Sequence, residues 1–379
     1  MKKYQLLSLL SIFLVCSCQG SGSNLSSSES TSNISSLSTS QEIEPTTYQN
    51  PVWEPVLADP AIIRGPDGVF YAYGTQDNAE WGDYFGYRYI PILTSTNLVD
   101  WEYANQVFKI QTMPTWGTLG AGLWAPDIVK IGDKYLLYYS LSVWGDANPG
   151  IGVASSDHPL GPWTDHGKMF DSNSIGVVNS IDPAVYVDEN LRVYMIWGSF
   201  VGIYGLELTS DGLQLLDGDN AKNTKVLLAG IDNGRWNVAN YEGAYISKVG
   251  SYYYMYLSTG GCCDGHNSTY RVVVCRSEEI LGPYVDKNEN LMANTSGKGT
   301  LVVDGNDKFV GVGHNSIIVD DADDYWIVYH GYDLSKPGWY GSTNRRSLLI
   351  DKLLWTEDGW PYVLGYGASV QANRPFINK

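Results

Sequence analysis

Five polar residues stand at the heads of five similar apolar segments: Asp59 before Pro60, Asp127 in Trp124-Ala-Pro-Asp, Asp182 before Pro183, Glu242 before Gly243, and His314 in Gly313-His-Asn-Ser. Four of the five are acids. Carboxylates gathered in one place cannot all ionise cheaply, because mutual repulsion raises at least one pKa. Such a site holds a neutral acid beside a charged base, the combination that cleaves a glycosidic bond. Each residue also has a purely structural reading. Asp59 and Asp182 precede proline and suit turns in which the carboxylate caps local N–H groups. Glu242, between Tyr241 and apolar residues, suits a buried ion pair. Asp127 either lines a channel or, more readily, locks the Trp124 loop. His314 has no neighbours at metal-ligand spacing and reads first as a hydrogen-bonded histidine.

The elements that must position these groups form a repeat. Each head is followed by a short apolar strand, a Gly/Asp/Asn turn and a second strand rich in aromatics, as in Lys134-Tyr-Leu-Leu-Tyr-Tyr-Ser140 and Tyr325-Trp-Ile-Val-Tyr-His330. Third strands are expected at 90–95, 150–155, 204–209, 270–276 and 347–352. The heads lie 68, 55, 60 and 72 residues apart, room for a four-stranded sheet each. Five such sheets arranged radially make an all-β, five-bladed β-propeller, in which the innermost strands bring the five heads onto one central ring. A two-sheet sandwich would give no reason for a polar residue to recur at each first strand.

The N-terminus precedes this repeat. Lys2 and Lys3, the apolar run Leu6 to Val15 and the Val15-Cys-Ser-Cys18 ending read as a signal peptide over residues 1–18, too short to span a membrane. A small residue before Cys18 resembles a bacterial lipobox, with Cys18 the lipid-bearing residue and Cys16 the weaker candidate. Residues 19–47 are dominated by Ser, Thr, Gly and Asn and read as a flexible tether, leaving 48–379 for the propeller. Gln19 after the cysteine points to the outer membrane, on its periplasmic or surface face. The net charge of -17 would repel phosphate backbones and argues against a nucleic-acid partner. Cys262, Cys263 and Cys275 are too few for a disulfide framework; free buried thiols are expected, with a strained Cys262–Cys263 bridge the alternative.

From about Pro51 onwards the chain resembles a family 43 glycoside hydrolase, and within it the α-1,5-L-arabinanases. The blocks that carry the resemblance are the five heads, the late Asp358-Gly-Trp-Pro361, and Gly261-Cys-Cys263 with Ser268-Thr-Tyr270. The resemblance implies inverting hydrolysis of an arabinan with Asp59 as general base, Glu242 as general acid and Asp182 as the group that raises and orients that acid. It also implies that His314 helps hold a channel ion, calcium with mostly water ligands. Substrate contacts are expected from Trp124, Asp127, Asn179, Ser180 and Tyr241, in a chain acting as a monomer. Endo action is the first reading. An exo-acting arabinofuranosidase or β-xylosidase, and a non-catalytic sugar-binding lipoprotein, remain open.

Overall fold

The second strand of each unit is an unbroken apolar run, which is the mark of a strand buried on both faces. In the computed structural model, which describes residues 46–80 and 86–378, these runs are the strands Phe70–Tyr73, Lys134–Ser142, Val193–Trp197, Tyr252–Thr259 and Tyr325–Asp333. Alternate side chains of each run serve different cores. Leu136 and Tyr138 pack against the following unit with Val193, Met195 and Trp197, while Tyr135, Leu137 and Tyr139 pack against the preceding one with Tyr71 and Tyr73. Five hydrophobic clusters result, each seated between two neighbouring sheets.

Each sheet is a four-stranded antiparallel meander, and the five together form the expected five-bladed propeller. The first strands are Ala61–Arg64, Gly122–Ile131, Ala184–Val187, Glu242–Val249 and Phe309–Val319. The third strands, Tyr89–Ser95, Gly150–Ser156, Ile203–Leu208, Arg271–Ser277 and Ser347–Trp355, fall within a few residues of expectation. The outermost strands are Glu102–Phe108, Thr164–Asp171, Val226–Ala229, Thr300–Val303 and Pro361–Val363. Among the described residues helix is confined to single turns such as Ser172–Ile175 and Ala221–Thr224.

No blade borrows a strand from the other end of the chain. The ring is closed by the segment before blade 1, which lies along blade 5. Thr47–Gln49 pairs with Gln371–Asn373, so Thr47, expected at the end of the tether, already belongs to the fold. Val52 and Leu57 donate to the carbonyls of Leu348 and Arg346. Buried Asn50 is the centre of this seam: its amide donates to the Ile350 and Ser369 carbonyls, and its Oδ1 accepts the Ile350 N–H. The expected signal peptide, the lipobox cysteines and the tether up to residue 45 lie outside the described residues.

Asn50→Ala would strand the Ile350 N–H in the interior and take a donor from the Ser369 carbonyl, while the Ile350 carbonyl keeps the Tyr48 hydroxyl. The expected cost is about 2–4 kcal/mol, from unpaired buried groups at roughly 1–3 kcal/mol each. It is read as a lower urea midpoint with an unchanged slope; an unaltered midpoint would show that closure does not depend on this side chain.

Candidate active site

Each first strand carries, within it or just before it, a residue in the left-handed region: Asp59 (φ 55°), Ala125 (φ 42°), Asp182 (φ 59°), Gly243 (φ 56°) and His314 (φ 51°). Such a φ is uncommon outside glycine and costs about 1–3 kcal/mol where the residue has a side chain. In blades 2, 4 and 5 it coincides with a break in the register between first and second strands. The backbone N–H released by the kink reaches a side chain of the preceding blade. Ala125 donates to Thr75 Oγ1, Asp182 to Ser140 Oγ, His314 to Ser258 Oγ and Asp59 to His330 Nδ1, at 2.8–3.1 Å. In blade 4 the acceptor is Asp182 Oδ2, 3.3 Å from the Gly243 nitrogen.

This geometry corrects the register read from sequence. In blade 2 the ring position belongs to Ala125, and Asp127 lies two residues beyond it. Asp127 neither lines the cavity nor locks the Trp124 loop: its buried carboxylate accepts the N–H of Val185 in blade 3 at 2.6 Å, and burial pushes its pKa up to about 7. In blade 4 the ring position is Gly243, and Glu242 precedes it. A Cβ on Gly243 would lie 2.9 Å from His314 Nδ1, so the glycine makes room for the histidine.

The ring opens into a cavity of about 730 Å³ lined by Asp59, Asp182, Glu242, His314, Trp124 and Asn179, among others. Asp59 is the most heavily bonded of the acids. It accepts from Arg346 Nη1 at 2.6 Å and from Thr75 Oγ1 at 2.5 Å, with His314 Nδ1 3.3 Å away. Burial alone would raise its pKa, but Arg346, the two histidines and Thr75 outweigh it and hold the carboxyl well below the usual range. Asp182 and Glu242 go the other way. Burial raises Asp182, and the charges of Glu242 and Asp59 add to it. Burial raises Glu242 too, with the hydroxyl groups of Ser199 and Tyr270 opposing and Asp59 adding; Ser199 donates to Glu242 Oε2 at 2.7 Å. One cavity thus holds one anchored anion and two carboxyls driven towards their neutral forms.

Two aromatic pairs flank these groups. Trp124 meets Trp144, with ring centroids 5.6 Å apart, and Phe200 meets Trp236 at 4.7 Å. All four line the cavity, and Trp144 is 78% exposed. Flat apolar faces beside polar groups suit sugar rings, whose C–H faces stack while their hydroxyls seek hydrogen bonds.

The model of glycosyl hydrolases family 43 matches residues 48–361. The chain belongs to that family. It is 34% identical over 321 residues to an extracellular exo-α-(1→5)-L-arabinofuranosidase of Cellvibrio japonicus, covering 80% of this chain and 85% of the relative. It is 33% identical over 314 residues to an extracellular endo-α-(1→5)-L-arabinanase of Bacillus subtilis, covering 81% and 87%. Among solved structures it resembles the α-L-arabinanase of Cellvibrio cellulosa in complex with arabinohexaose, with a TM-score of 0.67, 30% identity and 82% and 96% coverage.

Of the substrate contacts expected in this family 43 hydrolase, Trp124 and Asn179 line the cavity, whereas Ser180, Tyr241 and Asp127 do not. Ser180 is fully buried, donating to the Val177 carbonyl and accepting from Trp197 Nε1. Tyr241 is fully buried in the core between blades 3 and 4, its hydroxyl bonded to the backbone of Lys298. Cys262 and Cys263 are unpaired, and they are half-buried cavity residues rather than core thiols. Arg346, Thr75 and Ser199 were not foreseen. Arg346 had one signal: an arginine pair at the edge of a strand in a strongly acidic chain, where a ring of carboxylates needs a cation.

Among the described residues no group of three or more His, Cys, Asp or Glu side chains converges so as to hold a metal. Burial holds His314 below the usual imidazole pKa, and it stands near the Arg346 guanidinium. Calcium takes six to eight oxygen ligands, so these residues fit such an ion only if nearly its whole shell is water.

Arg346→Leu should invert the pH dependence that Asp59 gives to stability. In the wild type the folded pKa of Asp59 lies below the unfolded value of about 4, so its contribution is present above that pH and is lost on acidification. Without Arg346, burial prevails and the folded pKa rises above the unfolded one, so stability is lost as pH increases. The gap between wild type and variant should widen from pH 4 to pH 7, reaching about 3–5 kcal/mol, the cost of stranding a buried charge. Urea unfolding at both pH values measures it, and a gap independent of pH would contradict the assignment.

Proposed function

We propose that this hydrolase is an endo-acting arabinanase that cleaves α-1,5-linked L-arabinan with inversion. The observation that carries the reading is the split among the carboxyls of one cavity, with Asp59 held ionised and Glu242 and Asp182 raised. Asp59 accepts a proton from water as the water oxygen bonds to the anomeric carbon. Glu242 gives its proton to the glycosidic oxygen as the carbon–oxygen bond breaks. Asp182 accepts the adjacent Gly243 amide and so positions Glu242, whose proton is kept by burial and by the charge of Asp59. Inversion needs acid and base about 6.5–9.5 Å apart, so that water fits between base and sugar. Asp59 and Glu242 come from blades 1 and 4, which are not neighbours on the ring. The aromatic pairs suit a run of sugar units, and relatives named for arabinan support the substrate. An exo-acting arabinofuranosidase is the second reading, favoured by the name of the Cellvibrio relative.

The deciding assay is product analysis on linear arabinan. A ladder of oligosaccharides is expected, arabinose alone would establish the exo reading, and no new reducing ends would refute both. Glu242→Gln should lower kcat about 10²–10⁴-fold, the usual yield of a positioned general acid. A hydrated calcium ion at His314 is part of the proposal. Its arm is the same assay after exhaustive chelation, where activity should fall and return with added calcium; unchanged activity removes the ion from the reading.

We further propose that the protein works outside the cytoplasm as an outer-membrane lipoprotein anchored at Cys18, as the lipobox-like sequence suggests. Cys18→Ala should move it from the membrane fraction to the soluble fraction, and an unchanged distribution would rule out that anchor.

A further inference from the structure

The blades place a second set of sugar-sized features at the far end from the cleft. First strands start at the ring, so in an antiparallel meander the turns after the first and third strands lie at the opposite end of each blade. At that end of blades 4 and 5 lie Tyr252, Tyr325 and Trp355, all part-exposed, linked through Tyr254 in a chain of rings with centroids 5.2–6.4 Å apart. Beside them is a groove of about 120 Å³ between the outer strands of the two blades. It has room for one sugar unit, where the cleft has room for several.

The groove is built rather than incidental. Its floor is the turn Thr356–Trp360. Thr356 Oγ1 accepts the Trp360 N–H at 2.8 Å, Tyr254 donates to the Gly359 carbonyl at 2.6 Å, and Arg276 donates to the Asp358 carbonyl at 2.8 Å. The Arg276 guanidinium lies between the faces of Tyr252 and Trp360, 4.5 and 4.3 Å from their centroids. One wall carries Tyr362 and Tyr366, with centroids 5.4 Å apart and planes 32° apart. Lys287 and Asp358 supply a donor and an acceptor at the rim.

Tyr366 is tied down through its backbone, whose carbonyl accepts the Asp304 N–H at 2.8 Å, and not through its ring. It follows Gly365 (φ 71°) and itself adopts φ 59°, a conformation that glycine takes freely and a tyrosine does not. Its side chain is 41% exposed, so core packing does not repay that strain. Strain retained at an exposed aromatic is characteristic of a site that needs the ring there.

We propose that this groove, with Tyr362 and Tyr366 as its platform, is a secondary binding site for one pentose unit of a neutral polysaccharide, the same polymer that the cleft cleaves. The tyrosine faces stack on the sugar, and Lys287 and Asp358 take its hydroxyls. A chain held there stays near the enzyme while another stretch enters the cleft, so polymer gains and short oligosaccharides do not. The identity of the polymer rests on the arabinan reading.

The test compares retention of the full chain in gels containing linear arabinan with turnover of arabinohexaose, for wild type, Tyr366→Ala, Tyr366→Phe and the cleft variant Trp144→Ala. Tyr366→Ala should lower the retention constant about three- to tenfold, the yield of one aromatic contact. Tyr366→Phe should restore it, because the ring face makes the contact, and both should turn over arabinohexaose at the wild-type rate. Retention indifferent to Tyr366, or abolished entirely by Trp144→Ala, overturns the groove. A wild type that cleaves no arabinan yet is retained through Tyr366 refutes the proposed reaction and supports the groove. Normal cleavage with retention indifferent to Tyr366 does the reverse.

Discussion

The fold and the chemistry both hang on one backbone device: a left-handed residue at the head of each inner strand, whose N–H is tied across the blade boundary. The conformation is costly for every residue but glycine, and it recurs because it solves two problems together. It turns the strand head into the channel, and it frees an amide for the preceding blade. Thr75, Ser140, Ser258 and His330 receive that amide in four blades. In the remaining position Asp182 accepts the Gly243 amide, while Ser199 turns its hydroxyl to Glu242. The symmetric stitching is broken where blade 3 meets blade 4, and there a structural hydroxyl has become a partner for an acid.

The second dependence is electrostatic. Of the carboxyls that line the cavity, Asp59, Asp182 and Glu242 stand at the ring, and the Arg346 guanidinium is bonded to one of these three. Had the cation stood among all three, each would have been lowered and none would keep a proton. Because Arg346 pairs with Asp59, the anion is fixed at one place, and burial, with the charge of Asp59 adding to it, then raises both Asp182 and Glu242. The asymmetry between the acids thus follows from the placement of one side chain at the start of blade 5's third strand. Thr75 joins both dependences, since its hydroxyl donates to Asp59 and accepts from the Ala125 amide.

The blades were legible in the sequence because their second strands are buried on both faces, which writes an unbroken apolar run that no surface element imitates. The third strands were legible for the same reason. The outermost strands were not located, since residues such as Glu102–Phe108 and Thr164–Asp171 are half exposed and carry polar side chains that loops also carry. Among the heads, Asp59 and Asp182 were legible through the proline that follows each. Asp127 misled because it is an acid near a similar proline, yet the kink belongs to Ala125, and a two-residue offset along a kinked strand turns a channel residue into a stitch between blades. Tyr241 and Ser180 misled because adjacency to a site in sequence does not fix the direction of a side chain; both point into packing. Arg346 and Thr75 were hidden because the contacts they make join residues 287 and 16 positions apart.

The residues that carry no chemistry explain the shape of the cavity. Of five ring positions, three hold the polar side chains of Asp59, Asp182 and His314, and two hold Ala125 and Gly243. Alanine in blade 2 adjoins Trp124 and Trp144, and glycine in blade 4 leaves space that the His314 ring fills. Ala125 lines the cavity together with Thr75 and the tryptophan pair, so a larger side chain there would take up room that the alanine leaves open. The propeller offers five equivalent sites for a polar group, and a symmetric ring of five would fill its own channel. Room for a polysaccharide therefore depends on the positions where the repeat withholds a side chain as much as on those where it supplies a carboxyl.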